Sequence, residues 1–111
     1  MAQKDHPMTP DGRYFVSKGQ LWRKTDPRLD DSERRAAIKA MMQARRDIAQ
    51  AVTEAEDRDA RTRINAAKTR LGERGPVWWD DGAPDESGLA PDQSSYAEWW
   101  AGLSEAERTN A

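Results

Sequence analysis

The chain has 111 residues, of which 36% are hydrophobic and 34% charged, with a net charge of −2, five tryptophans, a single histidine and no cysteine. The lack of cysteine excludes disulfides and thiolate metal sites, and a lone histidine, His6, cannot build a histidine metal site or a catalytic dyad, so we expect neither a metal nor a cofactor. No apolar stretch approaches the roughly 18 residues that cross a membrane, which makes the cytoplasm the expected location.

Two short segments near the N-terminus predict a β-hairpin. Residues 1–12 contain prolines and a glycine without periodicity, and we expect a flexible lead-in there. The β-prone runs 13–16 and 21–24 flank a Lys-Gly turn, which is typical of a hairpin. Because an isolated hairpin is barely stable in water, it should pack on a helix.

Two helices are predicted in the centre of the chain. Asp30 and Glu33 have the spacing of a capping box, so a long helix should begin near residue 31 and run to about residue 55. A second helix is predicted over 58–71, after a charged corner at 56–59. Because no Gly or Pro marks the corner, the two form either an antiparallel hairpin or one long bent helix.

The first helix carries an apolar face that an arginine interrupts. At about 100° per residue one face collects eight residues, namely Ile38, Met41, Met42, Ala44, Ile48, Ala49, Val52 and Ala55. This face either fills a thin monomer core or completes a core in a homodimer. Arg45 projects from within it, and we hypothesise that it pairs with Asp80 or Asp81. The alternative is that its stem covers apolar surface while its head reaches water.

Beyond Pro76 the composition predicts a Trp-rich loop and then a short helix. Ser95 and Glu98 have capping-box spacing, which predicts a helix over 96–103. The expected fold is therefore mainly α, with a short N-terminal β-hairpin and a Trp-rich C-terminal loop plus short helix. We expect one small domain over 13–103 and a flexible tail over 104–111.

Paired tryptophans beside carboxylates make the C-terminal half the candidate partner surface. An exposed loop of this kind suits protein recognition, whereas the structural alternative buries one Trp of each pair against the helices. The candidate partner-binding residues are Trp78, Trp79, Asp80, Asp81, Trp99 and Trp100.

An uneven charge distribution raises nucleic acid as a second kind of partner. Residues 1–75 carry 17 Lys/Arg against 12 Asp/Glu, whereas residues 76–111 carry one Arg against eight acids. Acids interspersed among the bases, and the lack of a known nucleic-acid motif, make a solvated helical face the simpler interpretation. The candidate phosphate contacts are Arg35, Lys39, Arg46, Arg61 and Lys68.

Several motifs resemble those of a group of small bacterial proteins without an established activity. The most specific is the run LGERGPVWWDDGAPD at 71–85. In that group it accompanies an upstream hairpin with Asp-Gly-Arg-Tyr and Leu-Trp-Arg-Lys, an Ala-Arg-Arg helix, here 44–46, and a Tyr-x-x-Trp end, here 96–99. The resemblance covers about residues 11–100 and implies a shared fold, but it carries no catalytic or binding residues.

The chain lacks the familiar motifs of catalysis. It has no phosphate loop, nucleophile elbow or zinc-protease signature, and the acids at 80–85 lack the spacing of a calcium loop. We expect a non-enzymatic protein–protein interaction module, or a small regulator or inhibitor of a larger complex. It would bind through the acidic Trp-rich half or self-associate through the long helix. A nucleic-acid-binding accessory protein is the alternative.

Overall fold

The computed structural model describes residues 6–111, which form a β-hairpin and a series of helices. In chain order the elements are β1 Tyr14–Ser17, β2 Gln20–Arg23, α1 Asp31–Gln50, α2 Glu54–Arg70, a 3₁₀ turn Pro91–Gln93, α3 Ala97–Ala101 and α4 Glu105–Thr109. The mainly α class with an N-terminal β-hairpin is confirmed. Within the described residues, no helix combines the length and apolar character needed to cross a bilayer.

The chain divides into two compact units. The helical unit spans residues 25–80, and the hairpin unit combines the residues up to Lys24 with 81–111. The predicted domain limits at residues 13 and 103 coincide with neither boundary, and they stay a prediction.

The β-hairpin is confirmed, with each strand displaced by one residue toward the turn. β1 and β2 are antiparallel, with Tyr14 opposite Arg23. Lys18 and Gly19 both have positive φ, 55° and 75°, as the two-residue turn that matches strand twist requires. Tyr14, Val16 and Leu21 are buried and form the apolar side of this unit.

The two central helices are an antiparallel hairpin, which rules out one long bent helix. Asp30 caps α1 as predicted, because its carboxylate accepts the Glu33 N–H at 2.8 Å. α1 ends at Gln50, so the predicted extension to residue 55 and the charged corner at 56–59 are wrong.

The start of α2 explains the error. The Thr53 hydroxyl accepts the Glu56 N–H at 3.1 Å and caps the new helix. Glu54, Glu56 and Asp57 then lie in its first turn, where negative charge is favoured by the helix dipole. The charged residues therefore begin a helix instead of forming the connection.

Buried alanine side chains form the contact between α1 and α2. Ala37 and Ala44 of α1 and Ala60 and Ala67 of α2 are buried, and side chains this small allow close approach. The predicted apolar face is therefore divided. Its member Ala44 faces the interior and Met41 and Ile48 are half-buried, whereas Ile38 and Met42 stay exposed.

The C-terminal helices differ from the prediction in how they begin. The predicted Ser95 cap is wrong, because the Ser95 hydroxyl and N–H donate to Glu86, at 2.6 and 2.8 Å. A capping box forms instead between Ser104 and Glu107, with both reciprocal bonds at 3.1 Å. It begins α4 inside the segment for which a flexible tail was expected.

Candidate functional site

α1 presents a line of apolar side chains to solvent, here called the α1 ridge: Ile38, Met42 and Ala49. Ile38 and Met42 are one turn apart and are 37% and 51% exposed. Because the alanine side of α1 packs on α2, this ridge is the surface that α1 offers to a partner.

Cations flank the α1 ridge. Arg35 donates to Asp31 at 2.8 Å, and Arg46 donates to the neutral side chain of Gln43 at 2.8 Å. Lys39 is exposed beside them. Exposed ion pairs of this kind exchange readily with other partners, because each is worth only about 0–1 kcal/mol. The edge of the ridge therefore keeps a positive character.

On one side of the helical hairpin, here called the paired flank, two aspartates neutralise the charge of Arg63. Arg63 of α2 reaches Asp47 of α1 at 2.8 Å and Asp59 of its own helix at 3.0 Å. The hydrogen bond to Asp47 raises the pKa of Arg63, and the same bond lowers the pKa of Asp47. Next to it lies a shallow groove of about 390 Å³, lined by Ala40, Gln43, Arg63, Ala66, Ala67 and Arg70.

Lys68 of α2 lies within electrostatic range of two other cations, Arg74 and Arg45, and the three residues are here called the cationic cluster. Arg74 Nη1 donates to Asn65 Oδ1 at 3.1 Å, which places its guanidinium on α2 one turn from Lys68. Burial lowers the pKa of Lys68, and Arg74 and Arg45 lower it further, against an opposing effect of Glu73. Within residues 6–111, no carboxylate lies within 4.0 Å of the charged nitrogens of the three cations.

Of the predicted Trp and acidic residues, the helical unit holds Trp78, Trp79 and Asp80. Trp79 is buried and meets Trp78 edge to face at 5.2 Å. Gly72 has φ +82°, and a Cβ there would lie 2.9 Å from Trp78 Cδ1, so the tryptophan packs where only glycine fits. Asp80 is exposed.

The remaining predicted residues, Asp81, Trp99 and Trp100, belong to the hairpin unit. Trp99 and Trp100 are half-buried, with ring centres 6.2 Å apart. Trp99 also lines a cavity of about 340 Å³ with Leu103 and the segment at 6–8. The structure thus places the six predicted partner-binding residues in two separate units.

The arginine that Asp81 binds differs from the one hypothesised. Asp81 forms an ion pair with Arg13, and this contact lowers the pKa of Asp81. Arg45 is exposed on α1, so its head reaches solvent. Among the predicted phosphate contacts, Arg61 is tied to Asp57 at 2.8 Å, whereas Lys68 belongs to the cationic cluster.

A polar network around Asp11 was missed by sequence reasoning. Thr9 donates to Oδ1 of Asp11 at 2.7 Å, and the Tyr96 hydroxyl donates to Oδ2 at 2.6 Å. Burial acts to raise the pKa of Asp11, but these bonds bring it below its ordinary value. The Tyr14 hydroxyl accepts the Glu86 N–H at 2.9 Å nearby. The available signal was the pair of motifs Asp-Gly-Arg-Tyr and Tyr-x-x-Trp, which this network joins.

Comparison with known proteins adds no assignment. No protein family, no curated protein and no solved structure matches this chain. The resemblance to a bacterial group therefore stays a prediction, and the functional argument depends on the surfaces described above.

Proposed function

We propose that the protein is a non-enzymatic interaction module that self-associates through the α1 ridge, in the cytoplasm. The supporting observation is the exposure of Ile38 and Met42 side by side on a helix whose other side is already packed. Full burial of each such side chain contributes about 1.5–3 kcal/mol, and the unbranched Met side chain adapts to varied surfaces.

Charge complementarity favours a second copy of this chain as the occupant of the ridge. The flanks of the ridge are cationic, whereas residues 76–111 carry eight acids against one arginine. All of these acids except the half-buried Glu86 are exposed, among them Asp92, Glu98 and Glu105. Two ridges placed face to face would oppose like charges. We therefore propose a head-to-tail contact, in which the ridge of one copy binds the acidic C-terminal surface of another.

Sedimentation velocity of the full chain over a range of concentrations tests this proposal. The average mass should rise with concentration and fall with added salt, because salt screens the attraction. Met42→Glu should abolish association, whereas Met42→Leu should retain it. Val52→Glu is the matched control, since Val52 is 89% exposed but follows the end of α1.

Two results would contradict self-association. One is a monomer at every concentration up to several hundred micromolar. A contact worth ~5 kcal/mol or more would already form a substantial fraction of dimer at that concentration. The other is undiminished association of the Met42→Glu protein.

The cationic flank of α1 supports one alternative, a nucleic-acid accessory role. Arg35, Lys39 and Arg46 lie along one side of the helix, as phosphate contacts would. Against it, Arg35 is paired with Asp31, and the ridge beside these cations is apolar. A mobility-shift experiment with mixed duplex DNA and RNA at low salt decides the matter, because absence of retention there eliminates this role.

A further inference from the structure

The hairpin unit contains a cavity of about 340 Å³, here called the C-terminal cavity. This volume lies near the lower end of the range of about 300–1,000 Å³ that small-molecule sites occupy. The apolar part of its lining consists of Pro7, Met8, Trp99 and Leu103. An indole ring among apolar side chains suits the hydrocarbon part of a small ligand.

Hydrogen bonds hold the two sides of the C-terminal cavity in place. On one side, the backbone N–H of Val16 in β1 donates to the Pro7 carbonyl at 2.9 Å. On the other side, α4 begins with the capping box described above. The two sides are joined by His6, whose Nδ1 lies 2.9 Å from the backbone oxygen of Asn110. The cavity is therefore formed before any ligand arrives, which keeps the cost of ordering it low.

Two polar residues of the lining, His6 and Glu107, provide hydrogen-bond acceptors. Because a carbonyl oxygen only accepts, Nδ1 of His6 carries the proton in its bond to Asn110, and Nε2 of the neutral ring is left as an acceptor. In the carboxylate of Glu107, Oε1 accepts the Ser104 N–H at 3.1 Å, whereas Oε2 receives no hydrogen bond from residues 6–111. The bonds to Ser104 lower the pKa of Glu107, so its carboxylate is charged at neutral pH.

The hairpin unit has an excess of negative charge. Its described residues, 6–24 and 81–111, carry five Lys/Arg against eight Asp/Glu. One of these cations, Lys24, contacts the lining, since its Nζ donates to Met8 Sδ at 2.9 Å. A second carboxylate, Glu105, lies with Glu107 in the first turn of α4. The remaining negative charge favours a cationic ligand over an anionic one.

We propose that the C-terminal cavity binds an alkylammonium group, with the N–H donors on Glu107 and the hydrocarbon chain against Trp99. A cation close to an indole ring gains a further electrostatic attraction. A free alkylamine and the lysine side chain of a protein share this chemistry, and the experiment separates the two sources. The site goes beyond the proposed self-association, because it requires neither the α1 ridge nor a second copy.

Proton NMR of the full chain, titrated with n-butylammonium at constant ionic strength, tests the proposal. His6 is the single histidine of the chain, so its imidazole C–H signals report on the cavity without overlap. At pH 8, where free imidazole is neutral, these signals should shift saturably with n-butylammonium. The neutral analogue n-butanol and the anion butyrate should give no saturable shift. Tetramethylammonium, a cation without N–H donors, should bind more weakly.

Two matched pairs of variants locate the site. Glu107→Gln should weaken binding about tenfold, because glutamine retains the cap of α4 but removes the charge. Glu105→Gln is its control, since it removes the same charge from the same turn but lies outside the lining. Trp99→Phe should weaken binding about threefold, because tryptophan attracts cations best among the aromatic residues. Trp100→Phe, which alters the neighbouring indole, should leave affinity unchanged.

Further titrations separate the two sources of the ligand and the two proposals. Binding of N-acetyl-lysine methylamide at least as tight as that of n-butylammonium would assign the cavity to a lysine side chain of a partner protein. Tighter binding of n-butylammonium would assign it to a free alkylamine. All titrations are repeated in the Met42→Glu protein, where self-association is removed, so that a failure of one proposal is not mistaken for a failure of the other.

Three outcomes would overturn the alkylammonium site. They are equal binding of n-butanol and n-butylammonium, an equal loss of affinity in Glu105→Gln and Glu107→Gln, and no saturable shift of the His6 signals up to about 50 mM n-butylammonium.

Discussion

On one flank of the helical hairpin, Arg63 reaches Asp47 across the helix pair and Asp59 along its own helix. On the other flank, Lys68 lies within electrostatic range of Arg45 and Arg74, and the three cations lack such partners within residues 6–111. Cationic side chains thus stabilise the packing of α1 on α2 on one flank, where aspartates pair with them. On the other flank they repel one another. Charges matched within the fold contribute to its stability, whereas unmatched like charges oppose it.

The largest expected effect comes from disturbing the alanine contact that both flanks share. Ala67→Leu should destabilise the protein by about 2 kcal/mol, because the larger side chain forces the helices apart. Ala66→Leu, at the exposed neighbouring position, is the control and should cost less than about 0.5 kcal/mol. Urea unfolding followed by circular dichroism measures both. Equal effects would show that the helices do not meet along Ala67.

The next effect is expected on the paired flank. Asp47→Asn should lower Tm by about 2 °C or less, and by more than Asp59→Asn, because only Asp47 joins the two helices. The pKa of Asp47 lies below its ordinary value of 3.8. Its contribution should therefore be present above that pH and lost as the pH falls below it. Thermal unfolding at pH 7 and pH 3 tests this, and a larger loss in Asp59→Asn would contradict it.

A smaller effect of opposite sign is expected on the cationic cluster. Lys68→Gln should stabilise the protein by up to about 0.5 kcal/mol at pH 7, because it removes repulsion from Arg45 and Arg74. Arg70→Gln, in the same turn, loses a favourable interaction with the helix dipole without relieving a cluster, so it should not stabilise. Thermal melts at low salt compare the two variants. If both raised Tm alike, the two flanks would not differ as described.

The smallest expected effect is the pH dependence of the stability gained by Lys68→Gln. In the folded protein the pKa of Lys68 is below its ordinary value of 10.5, so the unfolded chain binds more protons between the two values. The stability contributed at this site should consequently rise with pH, and the advantage of Lys68→Gln should disappear toward pH 10.5. Groups such as Tyr14 titrate in both proteins and cancel in the difference. An advantage independent of pH would argue against a charge effect.

Features set by neighbouring residues were predictable from the sequence. The Lys18-Gly19 turn and the Asp30 cap each depend on two to four residues, and both occur where the pattern indicated. The apolar periodicity correctly predicted an amphipathic first helix. It could not predict which side would pack, because close approach along Ala37 and Ala44 outweighed the greater apolar area of Ile38 and Met42.

Features that depend on distant residues were not predictable. Ser95 failed to cap a helix because Glu86, nine residues away, takes both of its donors. Arg13 lies 68 residues before its partner Asp81, and no local pattern links them. The cationic cluster likewise needs Arg45 and Arg74 on one side of the helix pair, which becomes visible only when the register of α1 on α2 is known.

The positions of the tryptophan pairs have a spectroscopic consequence. In the helical unit the indole planes of Trp78 and Trp79 cross at 82°, and in the hairpin unit those of Trp99 and Trp100 cross at 50°. Chromophores this close and inclined to each other couple excitonically, which adds a distinctive couplet to the far-ultraviolet dichroism. Each unit therefore contains its own optical reporter. Replacing one pair with phenylalanine would allow the melting of the other unit to be followed by itself, without an attached label.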